Sequence, residues 1–366
     1  MPPVLVGRED VIADFAEGIE NGAGAPGRLM LISGQRGFGK TVLLTELARV
    51  AESYGWTSVR ETASSGLCER IISSLNASPA ATVELAPTVE VAGLGSARLG
   101  SVSLETPSSR SIREAVARRF RSMAAGTGVL ITIDEAQAAD RNELVAVATA
   151  VQHIVADQDL RNVPDEDKHG IALVVAGLPS LIDDLTNDDV LTFLRRAMRE
   201  ELGPVFLPDI RSAFQQSCLE TGMELGKEEA LAAARISQGH PYLMQLVGYY
   251  MWQSARRRHV QTVGPEDVER AEEDARLAFC DAVCAPTYKS LSRAQRAFVE
   301  AMAPDWPGPA STLDVAVRAG KSKPWAYKYR ESLIRSGVIV SYGQGELEFA
   351  IPFFGEYLQE RAGGVW

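Results

Sequence analysis

Cysteine is rare in this sequence, and its spacing does not suggest metal binding. The 366 residues include four cysteines, Cys68, Cys218, Cys280 and Cys284, with no CxxC pair and no histidines at the spacing of a zinc site. Cys280 and Cys284 would share one face of a helix. We therefore expect buried free thiols rather than a disulfide framework or a zinc domain.

Long apolar runs are also lacking. No stretch approaches the roughly 18 uninterrupted apolar residues of a membrane-spanning helix, and "MPPVLVGRED" lacks the basic start and apolar run of a signal peptide. With 46% hydrophobic and 23% charged residues, the composition is typical of a soluble globular protein. We expect a cytoplasmic protein of two or three domains with no membrane partner.

Positive charge is in deficit, because the net charge is −11. This argues against a surface that binds nucleic acid over its whole extent. The deficit is uneven: residues 286–366 carry ten Lys/Arg against eight Asp/Glu, whereas the remaining residues have a net charge of −13. Any site for a polyanion is therefore expected towards the C-terminal end.

Apolar runs alternate with helical periodicity through the first half of the chain. "RLMLIS" (28–33), "GVLITIDEAQ" and "GIALVVAGLP" are typical of buried strands, and "TVLLTELARVAESYG" has the spacing of an amphipathic helix. Strands that alternate with helices indicate a parallel sheet covered on both faces. The predicted fold class is α/β.

Three regions follow from this pattern. Residues 1–205 are the predicted α/β core, in which the Gly/Ser/Val-rich segment 80–105 is expected to form a β-rich insertion. Residues 206–286 have consecutive helical patterns and would form a helical lid. Residues 287–366 have three helical patterns and two short strand patterns around a glycine turn, the outline of a winged helix.

The sequence "GQRGFGKT" (34–41) has the P-loop pattern Gly-x4-Gly-Lys-Thr between a predicted strand and a predicted helix. In such a loop, backbone N–H groups surround the phosphates of ATP, Lys40 reaches the β/γ oxygens, and the Thr41 hydroxyl binds Mg²⁺. Lys40 is thus assigned a binding and a catalytic role. The predicted phosphate-binding residues are Gly34, Gln35, Arg36, Gly37, Phe38, Gly39, Lys40 and Thr41.

A P-loop also requires an acidic residue for the metal, and "VLITIDEAQ" places Asp134 and Glu135 at the end of an apolar strand. Asp134 is the predicted Mg²⁺-positioning residue, and Glu135 the residue that polarises the attacking water. The alternative is that the two acids only cap the helix that follows.

In these motifs the chain resembles the AAA+ and STAND-related P-loop ATPases, in particular the origin-recognition-complex-like group. "LVGRED" (5–10) resembles the N-terminal box that borders the adenine, which implies that Val6, Gly7 and Arg8 flank the base. "GHPYLMQLVG" (239–248) resembles the lid box whose proline touches the nucleotide, which implies a contact by Pro241.

Two positions depart from that family pattern. "VVAGLPS" stands where many members have a sensor asparagine or threonine, and His240-Pro241 stands where a sensor arginine usually begins the lid helix. The resemblance also implies an arginine finger before the fifth strand, for which Arg195 and Arg196 are candidates. The alternative for each arginine is an ordinary exposed basic face.

A basic segment opens the predicted recognition helix of the C-terminal region. "GKSKPWAYKYR" (320–330) contains Lys321, Lys323, Lys328 and Arg330, interleaved with aromatic residues. Such a helix within residues 320–335 could contact DNA phosphates. The alternative is a winged helix that contacts only protein.

The combined expectation is an ATP-binding AAA+ ATPase that hydrolyses ATP with Mg²⁺ and uses the nucleotide state to drive a conformational or assembly switch near DNA. The resemblance further implies an ATP-dependent homo-oligomer. Two alternatives stay open: a STAND-like signalling ATPase whose winged helix contacts protein, and a nucleotide-binding scaffold with negligible hydrolysis.

Overall fold

A computed structural model describes residues 5–21, 26–77, 109–187 and 192–364. The prediction of a β-rich insertion at 80–105 lies outside the described residues. None of the helices in the described ranges combines the length and apolar character needed to span a bilayer.

A five-stranded parallel sheet organises the first half of the chain. Its strands are β1 (Leu29–Gly34), β2 (Thr57–Thr62), β3 (Gly128–Asp134), β4 (Gly170–Gly177) and β5 (Met198–Leu202). They lie in the order β2-β3-β4-β1-β5, with Leu31 of β1 paired to Val175 on one side and Arg199 on the other. The predicted parallel sheet is confirmed. The loop after β1 therefore lies between neighbouring strand ends.

Six helices of the described chain cover this sheet. They are α1 (Glu9–Glu20), α2 (Lys40–Ser53), α3 (Leu67–Asn76), α4 (Ser109–Phe120), α5 (Arg141–Asp159) and α6 (Pro179–Asn187). Alternate strand residues face opposite sides: Met30 and Ile32 pack with α1 and α2, whereas Leu31 packs in the core formed with α3, α4 and α5. Since both faces are covered, strands β3 and β4 are buried along their whole length.

The segment after β5 is largely helical. Its elements are α7 (Leu207–Glu220), β6 (Glu224–Leu225), α8 (Lys227–Ile236), α9 (Pro241–Arg257), β7 (Thr262–Val263) and α10 (Pro265–Phe279). The two short strands pair in parallel with each other. They are the only departure from the all-helical pattern expected of this segment within the described residues.

Helices and an antiparallel sheet form the C-terminal region. A π-helical segment (Cys280–Cys284) leads to α11 (Ala285–Ser290), α12 (Arg293–Met302), β8 (Ala310–Ser311), α13 (Thr312–Arg318), α14 (Lys323–Arg335), β9 (Ile339–Tyr342), β10 (Glu346–Phe349) and α15 (Phe354–Ala362). The strands lie in the order β8-β10-β9. The three helices expected from the sequence correspond to α12, α13 and α14, and the two strands to β9 and β10, whereas β8 and α15 were not predicted.

No break separates the helical segment from the C-terminal region. Residues 265–290 form one unbroken helical run, because the π-helical segment joins α10 directly to α11. A single apolar core includes Phe279 on one side of this junction and Phe298 and Phe354 on the other. The boundary expected at 286/287 falls inside α11. Cys280 and Cys284 are buried free thiols in this junction, as are Cys68 and Cys218 elsewhere.

Candidate functional site

The P-loop connects β1 to α2 with two glycines in the left-handed region. Gly37 has φ 82° and Gly39 has φ 85°, a backbone region that residues with a Cβ rarely adopt. No side chain caps the N-terminus of α2. The first-turn N–H groups of the helix therefore point into the loop, together with the positive end of the helix dipole, an arrangement that favours phosphate.

Lys40 lies folded back inside this loop. Its side chain is only 4% exposed, and Nζ donates to the Gly34 and Gln35 carbonyl oxygens at 2.9 and 3.0 Å. Burial lowers the pKa of the ammonium group, and the nearby carboxylates of Glu135 and Asp134 oppose that shift. The Lys40 ammonium group is thus already held next to Asp134 and Glu135 in this structure.

Thr41 and Asp134 meet across the sheet edge. The Thr41 hydroxyl donates to Asp134 Oδ2 at 2.5 Å, and Asp134 Oδ1 accepts from the Glu135 backbone N–H at 2.8 Å. A hydroxyl and a carboxylate are hard oxygen donors of the kind that Mg²⁺ prefers. The two predicted metal-binding residues therefore lie together and fit the ion.

Glu135 follows directly with an unusual backbone. Its φ is 49°, in the left-handed region, where a non-glycine residue is uncommon. The Gln137 side-chain amide donates to Glu135 Oε2, and Gln137 Oε1 accepts from the Leu178 backbone N–H at 3.3 Å. The sequence did not predict a role for Gln137, although Gln137 is the last residue of the "DEAQ" segment that begins with Asp134.

Of the predicted base-binding residues, Val6, Arg8 and Pro241, but not Gly7, line an apolar cleft of about 560 Å³ between the sheet domain and the helical segment. Val6 is buried there, and Arg8 donates from Nη2 to the Gly203 carbonyl at 2.6 Å. Gly7 has φ 68°, and Pro241 is the first residue of α9. The lining residues contributed by the helical segment include Ala213, Phe214, Ser217, Pro241, Tyr242, Met244, Gln245 and Tyr249.

His240 connects the cleft to the P-loop. Its buried ring accepts the Leu243 N–H at Nδ1, which caps α9, and therefore carries its proton on Nε2, which donates to the Arg36 carbonyl at 3.3 Å. A Cβ on Gly37 would overlap this ring, and Phe38 contacts its edge at a centroid distance of 5.1 Å. Burial lowers the pKa of His240 to about 4. A neutral imidazole therefore stands at the position where the resemblance implies a sensor arginine.

The C-terminal region touches the other side of the P-loop. Gln35 packs under Gly337, where a Cβ would overlap Gln35 Oε1, and the Ser180 hydroxyl donates to the Arg335 carbonyl at 3.2 Å. Gln35 Oε1 is buried and has no hydrogen-bond partner within the described part of the protein. The end of α14 thus lies against the loop predicted to bind phosphate. The Arg36 side chain is exposed.

Arg195 and Arg196 are exposed and precede β5. Because β5 runs parallel to β1, with Met198 paired to Met30, they lie at the amino edge of the sheet, whereas the P-loop follows the carboxyl edge. A strand of this length separates the two edges by about 17 Å. The structure does not bring either arginine together with Lys40 of the same chain.

The basic segment lies on and just before α14. Lys321, Lys323 and Lys328 are exposed, and Tyr327 is 46% exposed. Arg330 is not equally available, because its Nη2 donates to the Ser341 hydroxyl at 3.0 Å. Within this basic segment, the exposed positive charges are therefore those of the three lysines, and Arg335 adds a further exposed charge at the end of α14.

Comparisons with known proteins agree with this site. Residues 4–163 match the family described as AAA ATPase domain, and residues 281–358 match a family described as a domain of unknown function. No curated protein sequence matches the chain.

Two solved structures share the fold over nearly the whole chain. The ORC2 protein of Aeropyrum pernix, solved in ADPNP–ADP complexes, is 13% identical with a TM-score of 0.64, and the match covers 99% of this chain and 96% of that one. The Walker-type ATPase PABY2304 of Pyrococcus abyssi is 15% identical with a TM-score of 0.63, covering 97% and 96%. Residues 4–163 thus match an AAA ATPase domain, and nearly the whole chain shares the fold of these two structures.

Proposed function

We propose that the protein binds and hydrolyses ATP and uses the nucleotide state to switch its conformation or assembly near DNA. The observation that carries the proposal is the cluster at the end of β3, where Asp134 accepts the Thr41 hydroxyl and Glu135 faces the Lys40 cation. A loop that only turned from strand to helix would not need a buried lysine beside two carboxylates. The similar ORC2 structure was solved with the adenine nucleotides ADPNP and ADP, which supports ATP as the ligand.

Each residue of this cluster has a step in the proposed reaction. The P-loop N–H groups and Lys40 hold the β- and γ-phosphates, and Thr41 and Asp134 would hold Mg²⁺. The ion, when bound, would neutralise phosphate charge. The Glu135 carboxylate orients the attacking water and accepts its proton, as a general base does. Val6, Arg8 and Pro241 would flank the base in the apolar cleft.

Self-association belongs to the same proposal. Arg195 and Arg196 lie too far from their own P-loop to act there, so only a neighbouring copy could receive them as arginine fingers. In this arrangement ATP bridges two copies and promotes assembly. The measurement is the mass by light scattering in ATP and in ADP, with the Arg195→Ala/Arg196→Ala variant as comparison. A monomer in both nucleotides, with full hydrolysis in that variant, would exclude the finger role.

The DNA-directed part rests on the exposed lysines of α14, which we interpret as the recognition helix of a winged helix. If Lys323 and Lys328 neutralise phosphates, DNA affinity falls steeply with salt, and each alanine variant lowers the log–log slope by about 0.9. Lys289→Ala, at an exposed position on α11, is the matched control and should leave the slope unchanged.

A second function is favoured by the contact of Gly337 with Gln35. It makes the C-terminal region a sensor of the P-loop whose exposed surface binds protein, as in a signalling ATPase. ATPase rates with and without duplex DNA separate the two functions. DNA-stimulated turnover supports the first, and turnover without salt-sensitive DNA binding at micromolar concentration supports the second. The complete absence of turnover would leave a nucleotide-binding scaffold.

A further inference from the structure

The carboxyl end of β4 carries no polar side chain towards the phosphate site. Strand β4 ends at Gly177, and the next two residues, Leu178 and Pro179, have apolar side chains. Because β4 pairs directly with β3, this end lies beside Asp134 and Glu135. A polar side chain that serves this position must therefore come from another element.

Gln137 comes from the turn after β3 and fills that position. Its Oε1 accepts the Leu178 backbone N–H at 3.3 Å, and its amide N–H donates to Glu135 Oε2. Gly177 leaves the necessary room, since a Cβ there would lie 3.2 Å from Gln137 Oε1. Both ends of the amide are thus used, and they join the tip of β4 to the predicted general base.

Glu135 depends on such support because its own backbone does not fix it. Its φ of 49° places it outside the regular strand and helix regions, between β3 and the short turn that contains Gln137. The backbone N–H is held by Asp134 Oδ1 at 2.8 Å. The carboxylate faces Lys40, whose ammonium group it stabilises more than Asp134 does. The Gln137 amide therefore holds the carboxylate on the side of the P-loop.

We propose that Gln137 is a positioning residue for hydrolysis: it fixes the Glu135 carboxylate by bridging it to the Leu178 N–H at the end of β4. The inference rests on the proposed hydrolysis of ATP by this site. Within the described residues, the Gln137 side chain bonds to Glu135 and Leu178 and not to the P-loop or Thr41, so nucleotide binding itself should not depend on it.

The test compares two variants that differ in shape and charge. Gln137→Ala removes both hydrogen bonds, and kcat should fall about 10–100-fold, as for a lost hydrogen bond to a charged group, while the KM for ATP stays within about twofold. Gln137→Glu keeps the shape and the acceptor for Leu178 but places a second carboxylate against Glu135. The added negative charge repels the Glu135 carboxylate, so kcat in Gln137→Glu should fall at least as far as in Gln137→Ala, again with little change in KM.

If Gln137 has only a structural role, the two variants should differ from each other in kcat. If only the shape of the side chain matters, the isosteric Gln137→Glu variant keeps the kcat of the wild type, and only Gln137→Ala loses activity. That result, or an unchanged kcat in a folded Gln137→Ala variant, would overturn the proposal. Gln152→Ala, at an exposed position of α5, is the matched control for expression and folding.

A second measurement does not require hydrolysis. In ¹⁵N-labelled protein, the Gln137 side-chain amide signal is identified by its loss in Gln137→Ala. It should shift in Glu135→Gln, because that change replaces the carboxylate that accepts the amide N–H. A signal that stays in place in Glu135→Gln would overturn the bridge. If the signal responds but the wild type has no ATPase activity, the proposed function fails while the contact stands.

Discussion

The two ends of the proposed nucleotide site are built in different ways. At the phosphate end, the P-loop and the tip of β3 supply charged and hydroxyl groups that are hydrogen-bonded to each other or to the backbone. At the base end, the cleft is mainly apolar and is assembled from residues 5–8, the start of α9 and the face of α7. The charged and polar groups thus lie at the phosphate end, whereas the base end is an apolar cleft that could select a ligand by its shape.

This difference predicts that substitutions at the two ends have effects of different size. Removing a charge at the phosphate end leaves buried polar partners unsatisfied and removes catalytic electrostatics, both of which are costly. Removing an apolar contact at the base end costs only the transfer free energy of a few atoms. His240 lies between the two ends, because it caps α9 at the cleft and donates to Arg36 in the P-loop.

The largest effect is expected for Glu135→Gln. The change keeps the size of the side chain but removes the carboxylate, so kcat should fall by about 10²–10⁴, as for a lost general base. ATP binding should persist. Calorimetry and single-turnover hydrolysis measure the two separately, with Glu166→Gln, at an exposed position, as control. Wild-type turnover in Glu135→Gln would assign water activation to another group.

His240 should make stability depend on pH. Its pKa in the folded state is about 4, whereas an unfolded histidine titrates near 6.5. Between these values the unfolded state binds more protons, so the free energy of unfolding should fall by about 3 kcal/mol as the pH drops from about 6.5 to about 4.

Urea unfolding across this pH range measures the effect. His240→Phe should be less stable near neutral pH, since the Leu243 N–H and Arg36 carbonyl lose their partner, but should lack this part of the pH dependence. His153→Gln, at an exposed position, should keep it. An identical pH dependence in wild type and His240→Phe would contradict a buried neutral imidazole at the junction.

Lys40→Ala tests the phosphate end alone. The variant loses a charge-assisted contact to phosphate, so ATP and inorganic triphosphate should both bind about 10–100-fold more weakly. Lys227→Ala, at an exposed position of α8, is the control for the loss of one positive charge. Calorimetry of both ligands measures the effect. Unchanged affinity for triphosphate would remove Lys40 from the phosphate site.

The smallest effect is expected for Pro241→Ala at the base end. Loss of about one buried methylene contact is worth about 0.8 kcal/mol, so ATP should bind about three- to fourfold more weakly. Inorganic triphosphate, which has no base, should bind as it does to the wild type. Equal weakening of both ligands would show that Pro241 acts on the P-loop rather than on the base, and the distinction between the two ends would fail there.

Most residues of the proposed phosphate end were assigned from the sequence. The P-loop pattern is contiguous, and glycine, lysine and threonine at fixed spacing have few other uses between a strand and a helix, so Lys40 and Thr41 could be assigned directly. The positions of Asp134 and Glu135 could be predicted because these residues end an apolar strand pattern. Gln137 was not, because its role depends on Leu178, a residue 41 positions away whose backbone N–H has no sequence signature.

The cleft and the contacts between regions could be predicted from the sequence only in small part. Val6 and Pro241 were indicated only by resemblance, and their neighbour Phe214 was not indicated at all, because apolar residues at helical spacing look alike whether they line a cleft or fill a core. The contact of Gly337 with Gln35 joins segments about 300 residues apart in the chain. No local pattern could have shown it.

The sequence by itself determined the parallel α/β core, the P-loop and the acids at the end of β3, because strand burial, loop glycines and adjacent carboxylates act over a few neighbouring residues. Only the tertiary structure decided that His240 is a neutral link to the P-loop, that Gln137 bridges β3 and β4, and that Arg195 and Arg196 lie away from their own site. These features depend on packing, which sets distances and burial between segments that the chain order leaves free.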